Sequence, residues 1–361
     1  MRAIAVTPLV PESTRLVELE KPEPGPGQVL VRTLSVGVCG TDMGLHRGAA
    51  GQAPAGSDYL IIGHESIGRV EEVGREAKGL APGDYVACPV RRPCADNCLN
   101  CRRGEADMCL TGTFAERGIK GQHGFLAEYY VEEPRWLVKV PPALKDVAVV
   151  LEPLSVVEKA VAQVFAIQSR LLSWEPRRAA VIGTGAIGIL AAILLRLRGL
   201  DVYSFARAPS GGARTRVAEA MGATYLSTAD LPLTSVAREL GPADIIIEAS
   251  GNTEAALAAL DALGSNGVLC LLGLYPQEPR QEIAAGRLAF EMMVSNRLVL
   301  GSVNGSDRHF EMGITHLAEM EQRWPGLLAS LFTRRLPLSE FAQAFQRPPG
   351  EIKTVIQVTE E

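Results

Sequence analysis

The turn Gly183-Thr184-Gly185-Ala186-Ile187-Gly188 stands between an apolar run, Ala179-Ala180-Val181-Ile182, and a helical stretch, Ile189 to Leu197. A glycine-rich turn that leads a strand straight into a helix demands a βαβ unit. The N–H groups at the helix start are left facing outward, and the glycines let a pyrophosphate approach the backbone. These six residues therefore imply a dinucleotide cradle. Strand-like segments recur at Asp201 to Phe205, Asp244 to Glu248, Gly267 to Leu272 and Leu298 to Ser302, with helical patterns between them. Together with Ala179 to Ile182 they predict a five-stranded, doubly wound parallel sheet of α/β class.

The chain ahead of this unit reads differently. Short β segments at Val29 to Leu34, Ile67 to Val73, Tyr85 to Cys88 and Phe125 to Val131 alternate with Gly and Pro, and a helix over Leu154 to Ile167 then leads to the cradle. A chain of 361 residues is too long for one ordinary core. Past Asn304, a helical segment from Arg308 to Glu321 precedes a β-like tail, Ile352 to Val358, which belongs by pattern to the first domain. The expected division is a discontinuous β-rich domain over 1–155 and 306–361 and a Rossmann domain over 156–305.

Two groups of metal-ligating residues lie in the β-rich part. Cys39 follows a strand, with Gly37 and Gly40 allowing a tight ligand loop, and His64-Glu65 comes 25 residues later. Thiolate, imidazole and carboxylate together suit an open, tetrahedral Zn²⁺ site, with Glu65 on the metal or on a bound water. Glu152, where the chain crosses toward the second domain, supplies a further ligand. Cys94, Cys98, Cys101 and Cys109 form C-x3-C-x2-C-x7-C in a polar lobe over about 90–112, which reads as a closed structural zinc site.

The cofactor's phosphate can be read from the second strand of the cradle. An acidic residue about 20 positions beyond the glycines would bind the adenosine ribose, but the segment from Asp201 ends in Arg207, with Ser210 and Arg214 nearby. NADP is expected to be preferred, with NAD usable.

A net charge of −5 without a basic block gives no footprint for nucleic acid, and no apolar run is long enough for a membrane span. The N-terminus lacks a signal's apolar core. Seven cysteines, an odd count with four packed between Cys94 and Cys109, fit a reducing compartment, so a cytoplasmic protein is expected.

The pairing of Cys39-Gly40-Thr41-Asp42 with Gly63-His64-Glu65-Ser66-Ile67-Gly68 closely resembles the zinc-containing medium-chain dehydrogenase/reductase family, whose β-rich catalytic domain is GroES-like. Phe114-Ala115-Glu116-Arg117-Gly118-Ile119, Glu152-Pro153-Leu154-Ser155, Gly301-Ser302-Val303-Asn304 and Gly350-Glu351-Ile352-Lys353 look like its glucose 1-dehydrogenase branch over nearly the full chain. The resemblance implies that Thr41, Glu116, Glu152 and Asn304 contact the sugar or the catalytic zinc. It also implies that Gly273, Ser302, Val303 and Asn304 approach the cofactor and that Lys353 is a cofactor-side lysine. Three departures stand out. The first gap of the cysteine lobe holds three residues where the family usually has two; Val156 replaces an Asp, and Val90-Arg91-Arg92-Pro93 lacks an Asn that some members carry, leaving Arg91 or Arg92 to meet hydroxyls.

The implied reaction is oxidation of the C1 hydroxyl of an aldose, D-glucose foremost, to the lactone. Catalysis falls to Thr41, Glu65 and Glu152, with Thr41 on the reacting oxygen. The family's frequent relay histidine is absent, since Gly44 holds its place and His46 lies two residues further on. A polyol, secondary-alcohol or threonine-type dehydrogenase is the alternative within the fold, and a non-catalytic dinucleotide-binding protein the alternative outside it. The apolar Leu298-Val299-Leu300, as an edge strand, would pair with a second copy in a dimer or tetramer.

Overall fold

The computed structural model describes residues 1–275 and 280–360. Its contacts divide the chain into two units, one comprising Met1–Ser155, Asn304–Ala318 and the chain from Phe332 onward, the other Val156–Val303 and Glu319–Leu331.

The first unit is built on its longest strand, Val29–Val38. Glu65–Val73 pairs with one edge of it and the C-terminal strand Lys353–Gln357 with the other, both antiparallel. The last strand thus returns to the first quarter of the chain, and Lys353 arrives beside Glu65 and Gly37. Val29, Val31, Val36, Val70, Val86, Leu126 and Ile356 fill the core. The expected strand from Phe125 is confined to Tyr129–Glu132. Phe125 and Leu126 instead donate their N–H groups to the carbonyls of Gly63 and Ile62 and brace the loop ahead of His64.

The second unit contains a fully parallel sheet in the order Thr224–Ser227, Asp201–Ala206, Arg178–Ile182, Ala243–Glu248, Leu263–Leu271, Leu298–Gly301. Among the described residues it has six strands where the pattern predicted five. The missed one, Thr224-Tyr225-Leu226-Ser227, is a short edge strand with too few apolar residues to announce itself. Leu263–Leu271 also starts earlier than expected, because Gly264-Ser265-Asn266 reads as a turn while the chain passes through it in the ladder, with Asn266 at φ 58°. The edge position of Leu298–Gly301 is as expected. Arg178–Ile182 is central, and every residue from Gly188 to Leu195 of the helix that follows it, Ala186–Leu197, is buried. No helix among the described residues is long and apolar enough to cross a membrane.

Candidate active site

Cys39 caps the helix Gly40–His46, its Sγ accepting the Thr41 N–H at 3.2 Å. This turn aims the sulfur at His64, whose Nε2 lies 3.2 Å away. Gly63 makes the bend before His64 at φ +83°, where a Cβ would strike the Leu126 side chain. Ligand atoms of Cys39, His64 and Glu65 all lie within 4.8 Å of one another. One soft sulfur, one imidazole nitrogen and one carboxylate oxygen match the donor set of an open zinc site.

Two further residues hold this set in place, and neither role is evident in the sequence. Asp42 is fully buried; its Oδ2 accepts the Cys39 N–H at 3.0 Å, and its Oδ1 sits 3.6 Å from His64 Nδ1. Neither Oδ1 nor Nδ1 has a hydrogen-bond partner among the described residues, and a carboxylate behind the imidazole would leave the other ring nitrogen to a metal. The capping pattern of Cys39 to Asp42 was the available signal. Lys353 is 2% exposed and forms an ion pair with Glu65. Its resemblance-based place was on the cofactor; the structure puts its ammonium on the Glu65 carboxylate.

The site gathers acids around two basic groups, His64 and Lys353. Burial works against a charged His64, but Cys39, Asp42 and Glu152 outweigh it and hold the imidazole well above its ordinary value. Burial likewise opposes the Lys353 ammonium, yet Glu65, Cys39 and Asp42 keep it raised. Glu152, second residue of the helix Leu151–Gln168, is pushed up to about 7 by burial and by the Glu65 carboxylate, with His64 opposing. Its charge thus senses the site, although its carboxylate stands outside the three-residue ligand cluster. A divalent cation would relieve this crowding of acids.

A separate small sheet pairs Arg91–Arg92 with Ala115–Arg117. Glu116 Oε1 accepts from Asn304 Nδ2 at 3.1 Å and from Arg91 Nε at 3.0 Å. Asn304 adopts the left-handed φ of 62°, which carries its amide into this contact. Arg92 is not available to a sugar. It is buried, donating to Glu132 Oε2 at 2.5 Å, to the Pro89 carbonyl at 2.6 Å and to Cys88 Sγ at 3.2 Å. His46 is likewise engaged elsewhere, with Thr14 Oγ1 at 2.8 Å and stacked on Phe345.

The sulfurs of Cys94, Cys98, Cys101 and Cys109 form a second cluster within 4.8 Å. The extra residue in its first gap is absorbed by Asn97 at φ 50°, in a turn closed by its N–H to the Cys94 carbonyl at 3.1 Å. The Cys98 N–H donates to Cys94 Sγ at 3.3 Å and draws that thiol down to about 6. Four converging thiols, one already favoured as thiolate, fit a closed zinc site. Cys88 belongs to the Arg92 network and not to this lobe.

In the second unit the glycine turn has the tight form a dinucleotide needs. A Cβ on Gly188 would lie 1.9 Å from the Gly183 carbonyl oxygen, and Gly183, at φ +99°, packs against the Ser250 N–H. Gly185 caps the helix with no side-chain partner and open space at its Cβ position, and Thr184, Ala186 and Ile187 complete the turn. Glu248, which the sequence reading passed over, accepts the N–H groups of Ser250 (2.8 Å) and Gly251 (3.3 Å) and the hydroxyls of Ser250 and Tyr275. An acid ending the run Ile245-Ile246-Ile247 was its only signal. Gly273 is pressed between Gly251 and Glu248, where no Cβ fits. Arg207 and Ser210 are exposed just beyond Asp201–Ala206, and Arg214 lies in the helix Ala213–Ala220. Ser302 is tied by its N–H to the Leu271 carbonyl at 3.1 Å, and Val303 is exposed with its carbonyl accepting from Lys159 Nζ at 3.0 Å.

Comparison with known proteins places this geometry in context. Residues 25–142 match the alcohol dehydrogenase GroES-like domain, and residues 145–358 match the glucose dehydrogenase C-terminus. The chain is 44% identical to a glucose 1-dehydrogenase of Methanocella arvoryzae and 41% to one of Thermoproteus tenax, each comparison covering 99% of both chains. Among solved structures, the glucose dehydrogenase of Haloferax mediterranei in complex with NADP, Zn and gluconolactone superimposes with a TM-score of 0.92 at 34% identity, covering 100% of both chains. Galactitol-1-phosphate dehydrogenase of Escherichia coli, at 23% identity and a TM-score of 0.82 over 99% of this chain and 100% of that one, shares the fold.

Proposed function

Because this chain belongs to the glucose dehydrogenase branch of the zinc-dependent medium-chain dehydrogenases, we propose that Cys39, His64 and Glu65 hold the zinc at which it oxidises C1 of D-glucose to D-glucono-1,5-lactone, reducing NADP. The observation that carries the assignment is the convergence of three different ligand types within 4.8 Å. Zinc supplies a Lewis acid that lowers the pKa of an alcohol oxygen, and NADP supplies the hydride acceptor.

The chain's own residues do the rest. Asp42 fixes the tautomer of His64, and Lys353 holds the Glu65 carboxylate in place. Glu152 is the additional carboxylate, drawn to the metal or exchanging with Glu65. Thr41 lies on the turn that presents Cys39, and in this reading it hydrogen-bonds the reacting oxygen. Glu116 and Asn304 orient ring hydroxyls, the charge-assisted bond to Glu116 being worth roughly 1.5–3 kcal/mol. In the second unit the turn from Gly183 to Gly188 receives the pyrophosphate, Arg207 with Ser210 and Arg214 meets the 2′-phosphate, and Gly273, Ser302 and Val303 line the cofactor's path. The four-cysteine lobe holds a structural zinc.

The edge strand Leu298–Gly301, with Val299 exposed on it and Phe290, Met293 and Val294 exposed on the preceding helix Ala285–Val294, supports pairing with a second copy in a dimer or tetramer. Reduced cysteines at zinc-ligand spacing fit the cytoplasm. The direct test follows NADPH formation with D-glucose, D-galactose and D-xylose before and after chelation, and repeats each assay with NAD. Chelator-sensitive turnover of glucose supports the reading. Turnover confined to polyols or hydroxy amino acids overturns it.

A further inference from the structure

Arg91 stands opposite Glu116 in the ladder that joins Arg91–Arg92 to Ala115–Arg117. Its Nε donates to Glu116 Oε1 at 3.0 Å, and its Nη2 lies 2.9 Å from the same oxygen. Asn304 Nδ2 donates there too, at 3.1 Å. Three nitrogens therefore crowd Oε1, while Oε2 takes no hydrogen bond among the described residues. A carboxylate with one oxygen saturated and the other bare accepts at that one oxygen only.

Two more contacts immobilise the guanidinium. Nη1 donates to the Asp107 carbonyl at 3.3 Å, inside the cysteine lobe, and the group lies over the Phe114 ring at 3.8 Å from its centroid. The Arg91 and Glu116 side chains are 10% and 14% exposed, so solvent screens this pair only in part. A planar fork meets a carboxylate, a carbonyl and an aromatic face together, whereas an ammonium on a flexible stem cannot.

We propose that Arg91 is a positioning residue for sugar recognition, holding Glu116 with Oε2 turned to accept a ring hydroxyl. The inference rests on the sugar-side assignment of Glu116 proposed above. It gives the arginine a role that acts through Glu116, distinct from that of its buried neighbour Arg92, whose partners are Glu132, Cys88 and Pro89. It also ties the aim of that carboxylate to the cysteine lobe, through the Asp107 carbonyl. Aldoses differ in the directions of their hydroxyls, so an acceptor of fixed direction selects among them and a loosened one selects less.

The test compares Arg91→Lys, Glu116→Gln and the double variant by KM and kcat for D-glucose and D-galactose at saturating NADP, with NADP affinity and Tm measured beside them. Arg91→Lys is expected to raise the glucose KM about tenfold to a hundredfold, to change kcat far less, and to leave NADP affinity and Tm near the parent's. The glucose-to-galactose preference should narrow. In the Glu116→Gln background the same substitution should add little, since both act on one contact. If Glu116→Gln raises KM and Arg91→Lys does not, the positioning role falls while the site assignment stands. If Glu116→Gln leaves KM unchanged, the assignment itself fails and takes the inference with it. A loss of NADP affinity and Tm in step with KM would make Arg91 a structural residue only.

Discussion

Replacing Asp42 by Asn isolates what the carboxylate behind His64 does. Asp42 makes two contacts, with the Cys39 N–H at 3.0 Å and with His64 Nδ1 at 3.6 Å. An asparagine oxygen can still accept from Cys39, which preserves the cap, but its NH₂ then faces Nδ1. The neutral imidazole would have to accept there and carry its hydrogen on Nε2, the nitrogen 3.2 Å from Cys39 Sγ that is needed for the metal. Losing such an orienting partner lowers metal affinity about 10- to 100-fold, which is roughly 1.4–2.7 kcal/mol. Asp42→Ala also removes the acceptor of the Cys39 N–H, at a further cost of about 1 kcal/mol in stability. Competition with a chromophoric chelator measures zinc affinity, and thermal unfolding measures stability. Asp42→Asn should weaken one zinc while leaving the cysteine-lobe zinc and the Tm nearly unchanged. Parental zinc affinity in Asp42→Asn, or equal weakening of both zincs, would refute the reasoning.

Lys353→Met strands the buried Glu65 carboxylate and should destabilise the protein by about 3–5 kcal/mol, read as a lowered Tm; adding Glu65→Gln should recover much of it. Glu128 gives a pH-dependent signature: burial opposes its charge, but the Arg2 backbone N–H (2.7 Å) and guanidinium (2.7 and 2.9 Å) win and hold its carboxyl below the ordinary value of 4.5. A lowered carboxyl stabilises the fold above its unfolded pKa and loses that contribution as pH falls through the folded value. Between about pH 5 and 3 the parent should therefore lose more Tm than Glu128→Gln, and parallel curves would exclude the clamp. Arg207→Ala should raise the KM for NADP about tenfold or more and leave NAD nearly unaffected, as paired steady-state titrations would show.

The sequence carried the cradle and the ligand types because both depend on local chemistry. Gly188 is demanded by a backbone contact only five residues back, with the Gly183 carbonyl, and a four-cysteine lobe needs only its spacing. What the sequence did not carry depends on distant pairings. Lys353 reaches Glu65 only because Lys353–Gln357 lies along Val29–Val38 in a particular register, and no local pattern encodes that. Arg91 and Arg92 are adjacent in sequence, but a strand sends them to opposite faces, one to Glu116 and the other into the Glu132 network. Glu248 closes its turns from a strand end whose apolar run gives no hint of the hydroxyls it will meet. Thr224–Ser227 escaped because an edge strand needs little hydrophobic alternation.

The most direct test of the central claim is zinc content measured together with glucose-dependent NADP reduction, in the parent and in Cys39→Ser. The account predicts about two zinc ions per chain in the parent, one open and one closed. Cys39→Ser should retain about one, in the cysteine lobe, with an unchanged fold and no NADPH formed from glucose. Two zinc ions and undiminished turnover in Cys39→Ser would contradict it.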